Sequence, residues 1–399
     1  MSERLARTTE KSIMKTIAKF IFGLAMFALA CGSIAFAQVP LPPVPPADSA
    51  AKAAALGPPG GAPVTETVAF KSKSRWHLTL NTVKGFGLVI TGASFQKSPT
   101  APFIYVLFDG RLGEIFVPYH SGDDRFTDLK YGFSCLKLTP EKFPPPLQLI
   151  GGDKICKEVR DYLAYMDFLN TPHRVRYGQE AVYFSVLDAA NYQYIMEWTF
   201  RDDGVILVRA GSTGPKFPGH PNLGHIHDFT WRLDIDLNGA GGDSAFLTSH
   251  YEDLTAVPPA RTATDGRDLV DVEGGLVWND RNFNTLLIQD SMLKNGNGRP
   301  TSYELVPMRS GTARHLEDFT KKDFWVTRYN PTQSFFADEL PDYVRDRQST
   351  VNQDLVVWYT GSEHHENNSR DEDKNTVEVL WTGFELVPNN LFDHTPFYP

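Results

Sequence analysis

The chain has 399 residues, with 39 Lys+Arg against 48 Asp+Glu and a formal charge of −9 at pH 7. That acidic balance argues against nucleic acid as a partner, favours solubility and weakly attracts cations. The length suits one large all-β domain or two ordinary ones.

Five basic residues (Arg4, Arg7, Lys11, Lys15 and Lys19) precede an apolar run over 20–36, and Ala35-Phe36-Ala37 offers a small-x-small cleavage site. Residues 1–37 therefore read as a secretory signal peptide, and the protein is expected in the periplasm or secreted. The run is short for a membrane span; lipidation at Cys31 is the alternative. Without this leader the chain would carry 34 basic and 46 acidic residues, a formal charge of −12. Residues 38–64 are rich in Pro, Ala and Gly and read as a linker, leaving 65–399 as the folded domain.

Period-two patterns and β-branched runs then dominate. Strands are predicted over 76–83, 103–108, 114–119, 181–187, 192–200 and 205–210. Others follow over 225–237, 285–290, 324–329, 354–360 and 377–386. Clusters of Gly, Asn, Asp and Pro separate them. The segment 154–168 is expected to be a helix. Many strands with few helices predict an all-β fold, a large β-sandwich. Cys135 and Cys156, 21 positions apart, remain after the leader. In an exported chain they invite one disulfide, which would contribute about 3 kcal/mol in the chain-entropy model. The other reading is two buried thiols.

Three groups of residues could carry chemistry. On a strand, His225 and His227 share one face, a two-point grip on a transition metal. His364-His365, after the strand at 354–360, supplies a third ligand. Further along the first strand Asp234 and Asp236 face the other way and suit a hard cation such as Ca²⁺; a solvated acidic edge is the plainer reading. Tyr192, Tyr194, Met196, Trp198 and Phe200 share a face, most simply as a buried aromatic stripe.

Taken together, these elements resemble the catalytic domain of the copper amine oxidases. Asn191-Tyr192-Gln193-Tyr194 is similar to the family's Asn-Tyr-Asp/Glu-Tyr, whose first tyrosine becomes topaquinone. His225-Ile-His227 followed by Arg232-Leu-Asp-Ile-Asp236 resembles its first metal motif. The stretch from Asp354 through Trp358 to His365 resembles its third-histidine segment, and the family's spacing of eleven from the aspartate selects His365, with His364 as alternate. Val117-Pro118-Tyr119 and Phe126-Thr127-Asp128 resemble the segments that hold the quinone-contacting tyrosine and the catalytic aspartate. Cys135 and Cys156 fall where the family places a disulfide. Gln193 replaces an acidic residue, Asp188 a Thr or Ser, and the Pro-Arg after the third histidine is absent.

The resemblance implies oxidative deamination of primary amines by O₂ to aldehyde, ammonia and hydrogen peroxide. It implies Cu²⁺ on His225, His227 and His365, topaquinone from Tyr192 beside Asn191, Asp128 as base, and Tyr119 on the quinone oxygen. It further implies a second cation, Ca²⁺ or similar, held by Asp234, Asp236 and Asp354 with the carbonyls of Ile235 and Leu355. Phe126 is the candidate gate, and a homodimer is expected. The departures motivate a rival from another class, an exported copper-binding protein on the same scaffold without quinone chemistry. A secreted carbohydrate-binding sandwich would explain the aromatics but not the ordered histidines.

Overall fold

The computed structural model describes residues 62–119, 124–169, 172–216, 219, 223–252, 263–279, 282–308, 315–366 and 378–394. The expected leader at 1–37, and the expected linker as far as residue 61, lie outside the described residues.

Ten strands position everything discussed below. They are β1 (Asp109–Pro118), β2 (Ile155–Asp167), β3 (Arg174–Ala189), β4 (Tyr192–Arg201) and β5 (Ile206–Thr213). After them come β6 (His225–Asp234), β7 (Asp243–Glu252), β8 (Thr285–Lys294), β9 (Leu355–His365) and β10 (Leu380–Asn389). Two antiparallel sheets form among the described residues, one of ten strands and one of eleven. In the first, β1, β6 and β9 are neighbours; in the second, β10, β5, β4, β3 and β2 run side by side. One apolar core takes residues from both, so the expected all-β sandwich is what the chain builds.

The core follows from alternation. Along β4 the side chains of Tyr192, Tyr194, Met196, Trp198 and Phe200 are all buried in it. Phe229, Trp231 and Leu233 of β6 enter it from the opposite sheet. The other face of β6 is also covered, by a second cluster that includes Phe116, Phe319, Trp325 and Trp358. Burial on both faces explains why Asp228, Thr230 and Arg232 are buried as well. The charge of Arg232 is met by Asp109, at 2.9 Å, which also holds Arg111 at 2.8 Å. This buried trio joins β1 to β6.

Close approach of the sheets depends on Gly110 of β1. A Cβ there would lie 2.5 Å from Cη2 of Trp198 and 2.7 Å from Cδ2 of Leu107. Trp198 is buried and its ring is rigid, so it has nowhere to move. Gly110→Ala is expected to destabilise the chain by about 2 kcal/mol through overpacking. A thermal melt unchanged by this substitution would contradict the account.

Two expectations are corrected. The segment expected as a helix at 154–168 is strand β2, paired with β3 along its length. The expected disulfide is absent, Cys135 and Cys156 being free thiols. Cys156 is paired with Phe184 and Cys135 with Leu187, on the same edge of β3. Three positions along a strand span about 10 Å and reverse the face, whereas a disulfide needs Cα atoms within about 7 Å. Burial pushes the Cys156 thiol up to about 11, so it stays protonated.

Candidate active site

At one end of the sandwich the two sheets bring their polar residues together. His225 and His227 alternate with half-buried Ile226, and both point inward. His225 is paired with His365, the last residue of β9. Ile226 is paired with His364, which therefore faces the other way and is exposed. The register thus decides between the two candidates in favour of His365. The three imidazoles place ligand nitrogens within 4.8 Å of one another, all buried.

Tyr192 arrives from the facing sheet. It is the first residue of β4, directly after a two-residue turn in which Ala190 has φ of 62°. A non-glycine residue in that conformation is strained. Gly214 permits the turn, because a Cβ there would stand 2.1 Å from the carbonyl oxygen of Asn191. The Asn191 Nδ2 also donates to the Pro215 carbonyl at 3.1 Å. Held in this way, the Tyr192 hydroxyl lies 3.0 Å from His225 Nε2 and 3.1 Å from His365 Nδ1.

The hydrogen bonds set the protonation of the cluster. Burial, then the nearby His225 and His365, pushes the His227 imidazole well below its usual range, so it is neutral. The Tyr194 hydroxyl donates to Asp128 Oδ2 at 2.6 Å and lies 3.4 Å from His227 Nδ1. With its proton committed to Asp128, the tyrosine oxygen can only accept from His227, leaving Nε2 of that ring with a lone pair. His225 Nδ1 lies 3.3 Å from the Leu223 carbonyl, which gives the same result for its Nε2. Three imidazole donors with a phenol among them fit a copper(II) ion, and ring orientation by hydrogen-bond partners is what such sites need.

Beside the histidines lies a cavity of about 220 Å³, lined by Asp128, Tyr192, Tyr119, Asn191 and Phe126, with exposed Tyr131 among its lining residues. Tyr119 stacks on His225, ring centroids 4.2 Å apart, and Phe126 meets Tyr119 edge-on. Burial pushes the Asp128 carboxyl up to about 6, with the Tyr194 hydrogen bond acting against it. Glu114 was not anticipated. Its Oε1 accepts from the backbone N–H groups of Ile115 and Leu129 at 2.9 and 3.2 Å, and so pins the turn that carries Asp128. Burial pushes its carboxyl up to about 8. Its one signal in the sequence is a glutamate directly before an apolar run.

The residues that depart from the family pattern lie elsewhere. Asp188 and Gln193 are cross-strand partners, with Gln193 Nε2 3.5 Å from Asp188 Oδ1, on the face away from Tyr192. The pair leaves the inward face of β4 unchanged. Residues 367–370, where the segment after the third histidine departs, lie outside the described residues.

The second expected cation group forms at the other end of β6. Carboxylate oxygens of Asp234, Asp236 and Asp354 lie within 4.8 Å of one another. Ile235 and Leu355 put their side chains in the main core, so only their backbone could serve that site.

An all-β sandwich with a buried tri-histidine centre and a tyrosine between the ligands is the class defined here. Residues 220–398 match the family model described as copper amine oxidase, enzyme domain. A primary amine oxidase of Klebsiella aerogenes is 27% identical over 269 residues, 55% of this chain and 35% of its own length. A copper-containing amine oxidase of Arabidopsis thaliana (alpha 2, peroxisomal) is 23% identical over 397 residues, 81% of this chain and 58% of its own. The fold is shared with the crystal structure of a copper-containing benzylamine oxidase from Hansenula polymorpha, at a TM-score of 0.65 and 18% identity. That match covers 82% of this chain and 62% of the other. The chain therefore spans between about a third and three-fifths of these relatives.

Proposed function

We propose that this domain oxidises primary amines with O₂, releasing aldehyde, ammonia and hydrogen peroxide, using copper and a quinone made from Tyr192. The observation that carries this reading is the Tyr192 hydroxyl, 3.0 and 3.1 Å from two of three converging histidines and in one cavity with Asp128. His225, His227 and His365 hold the metal. When bound, copper and the quinone supply the redox and electrophilic chemistry that protein side chains lack.

The remaining work belongs to the chain. Asp128 takes the α-proton of the substrate, as a base poised near neutrality. Tyr194 holds Asp128 Oδ2, which leaves the other carboxylate oxygen for the substrate. Tyr119 and Asn191 flank Tyr192 and limit its rotation. Phe126 narrows the cavity, and its apolar walls favour an amine with a hydrocarbon body, such as the benzylamine named for the Hansenula relative.

Three further parts of the reading are proposals of the same kind. Asp234, Asp236 and Asp354 hold Ca²⁺ or a similar hard cation. The protein is exported, as the leader-like pattern of residues 1–37 suggests. It acts as a homodimer, since the β2–β3 hairpin exposes Leu163, Met166 and Tyr177, an apolar surface of the kind that marks an interface.

The test is to purify the chain without copper, add Cu²⁺ in air and treat it with phenylhydrazine while recording the visible spectrum. An intense new band and release of aldehyde and peroxide from benzylamine are expected. Stoichiometric copper with neither result would replace this reading by that of a copper-binding protein.

A further inference from the structure

A fourth acidic residue lies next to the carboxylate group at the far end of β6, outside the set of three whose oxygens come within 4.8 Å of one another, and nothing so far uses it. Asp243, the first residue of β7, is fully buried, and neither of its carboxylate oxygens has a hydrogen-bond partner. The Leu237 N–H lies close enough to offset a little of its charge, without forming a regular hydrogen bond. The charges it feels are those of Asp290, Asp236 and Asp354, and no cation is among them.

Its backbone explains why it is there. Asp243 and Gln353 exchange two hydrogen bonds, at 3.2 and 2.9 Å, so Asp243 lies across from the residue that precedes Asp354. On its other side Asp243 is directly opposite Asp290 of β8. Like charges facing each other across a strand pair are destabilising. Asp290 is relieved locally, because its Oδ1 accepts from the backbone N–H groups of Met292 and Leu293. Asp234 has Arg232 at 3.6 Å. Asp243 has no equivalent, and a carboxylate removed from water without a partner is costly enough that it must find a cation or give up its charge.

We propose that Asp243 is a fourth carboxylate ligand of the cation site of Asp234, Asp236 and Asp354, and that the cation bridges the two sheets. This rests on the cation reading given above and adds a ligand to it. Asp234, Asp236 and Asp354 belong to the first sheet or its connections, whereas Asp243 belongs to the second. The site therefore clamps the sandwich at the end opposite the histidines. Four carboxylates suit a hard, oxygen-seeking cation of the calcium class, whose affinity rises with the number of charged ligands.

The experiment uses the full chain, stripped with EDTA, with Ca²⁺ as the probe and both calorimetric titration and thermal melting as readouts. Wild type is expected to bind Ca²⁺ and melt higher with it. Asp243→Asn is expected to bind about tenfold more weakly or worse, and in the metal-free state to melt at or above wild type because no buried carboxylate is left to be paired or neutralised. That crossing of signs is what a merely structural aspartate would not produce. If Asp243→Asn binds Ca²⁺ as wild type does while Asp234→Asn fails, Asp243 is not a ligand and the three-carboxylate reading stands. If wild type shows neither heat nor a melting shift, both readings fall. An Asp243→Asn chain that cannot be recovered folded also counts against the proposal, which requires the metal-free variant to be no less stable than wild type.

Discussion

Tyr192→Phe is expected to bind copper about as tightly as wild type, yet to give no visible band with phenylhydrazine and no aldehyde or peroxide. The prediction separates metal binding from cofactor formation, which the geometry assigns to different atoms. Nε2 of His225, Nε2 of His227 and Nδ1 of His365 keep their places without the phenol, because the β6–β9 register and the Leu223 and Tyr194 contacts hold them. The hydroxyl that lies between them is lost, and with it the only oxygen on that ring. Turnover should fall to background, a loss of about a millionfold or more on the usual scale of enzymatic acceleration. A variant with full turnover would remove Tyr192 from the chemistry altogether. One that loses copper as well would show the phenol to be a needed ligand rather than a cofactor precursor.

What could be read from residues alone follows the rigidity of the local rules. His225 and His227 are two apart on a strand, so their shared face was legible, as was the opposite face for Asp234. Tyr192 could be placed on the inward stripe of β4 by the same alternation. That it meets the histidines is a matter of which sheets face each other, and only the resemblance suggested it. The helix expected over 154–168 failed for a definite reason. On β2 neither face is fully buried, and Lys157, Arg160 and Asp161 bond outward to Glu66, Glu180 and Lys71. A strand solvated on both faces shows no clean period of two. Glu114 and Asp243 were invisible for another reason. Each is a carboxylate whose interest lies in being buried, and burial of a single polar residue inside a strand has no sequence pattern of its own.

Asp128→Asn is the second large effect, and it falls on turnover alone. The amide keeps the size of the side chain and can still take the Tyr194 hydroxyl, so the link to His227 and the metal-binding geometry should survive. Copper uptake and the phenylhydrazine band are therefore expected to remain. An amide cannot take a proton, and loss of a positioned base typically costs about a hundredfold to ten-thousandfold in rate. The pH profile gives an independent check. A carboxyl pushed up by burial is protonated, and idle, over a wider acid range than an ordinary aspartate. Wild-type kcat/KM should thus rise with pH through about 6, where Asp128 loses its proton. Tyr194→Phe removes the hydrogen bond that opposes the burial effect, so its rising limb should move to higher pH. An acid limb near 4 in the wild type, or one unmoved in Tyr194→Phe, would assign the proton transfer to some group other than Asp128.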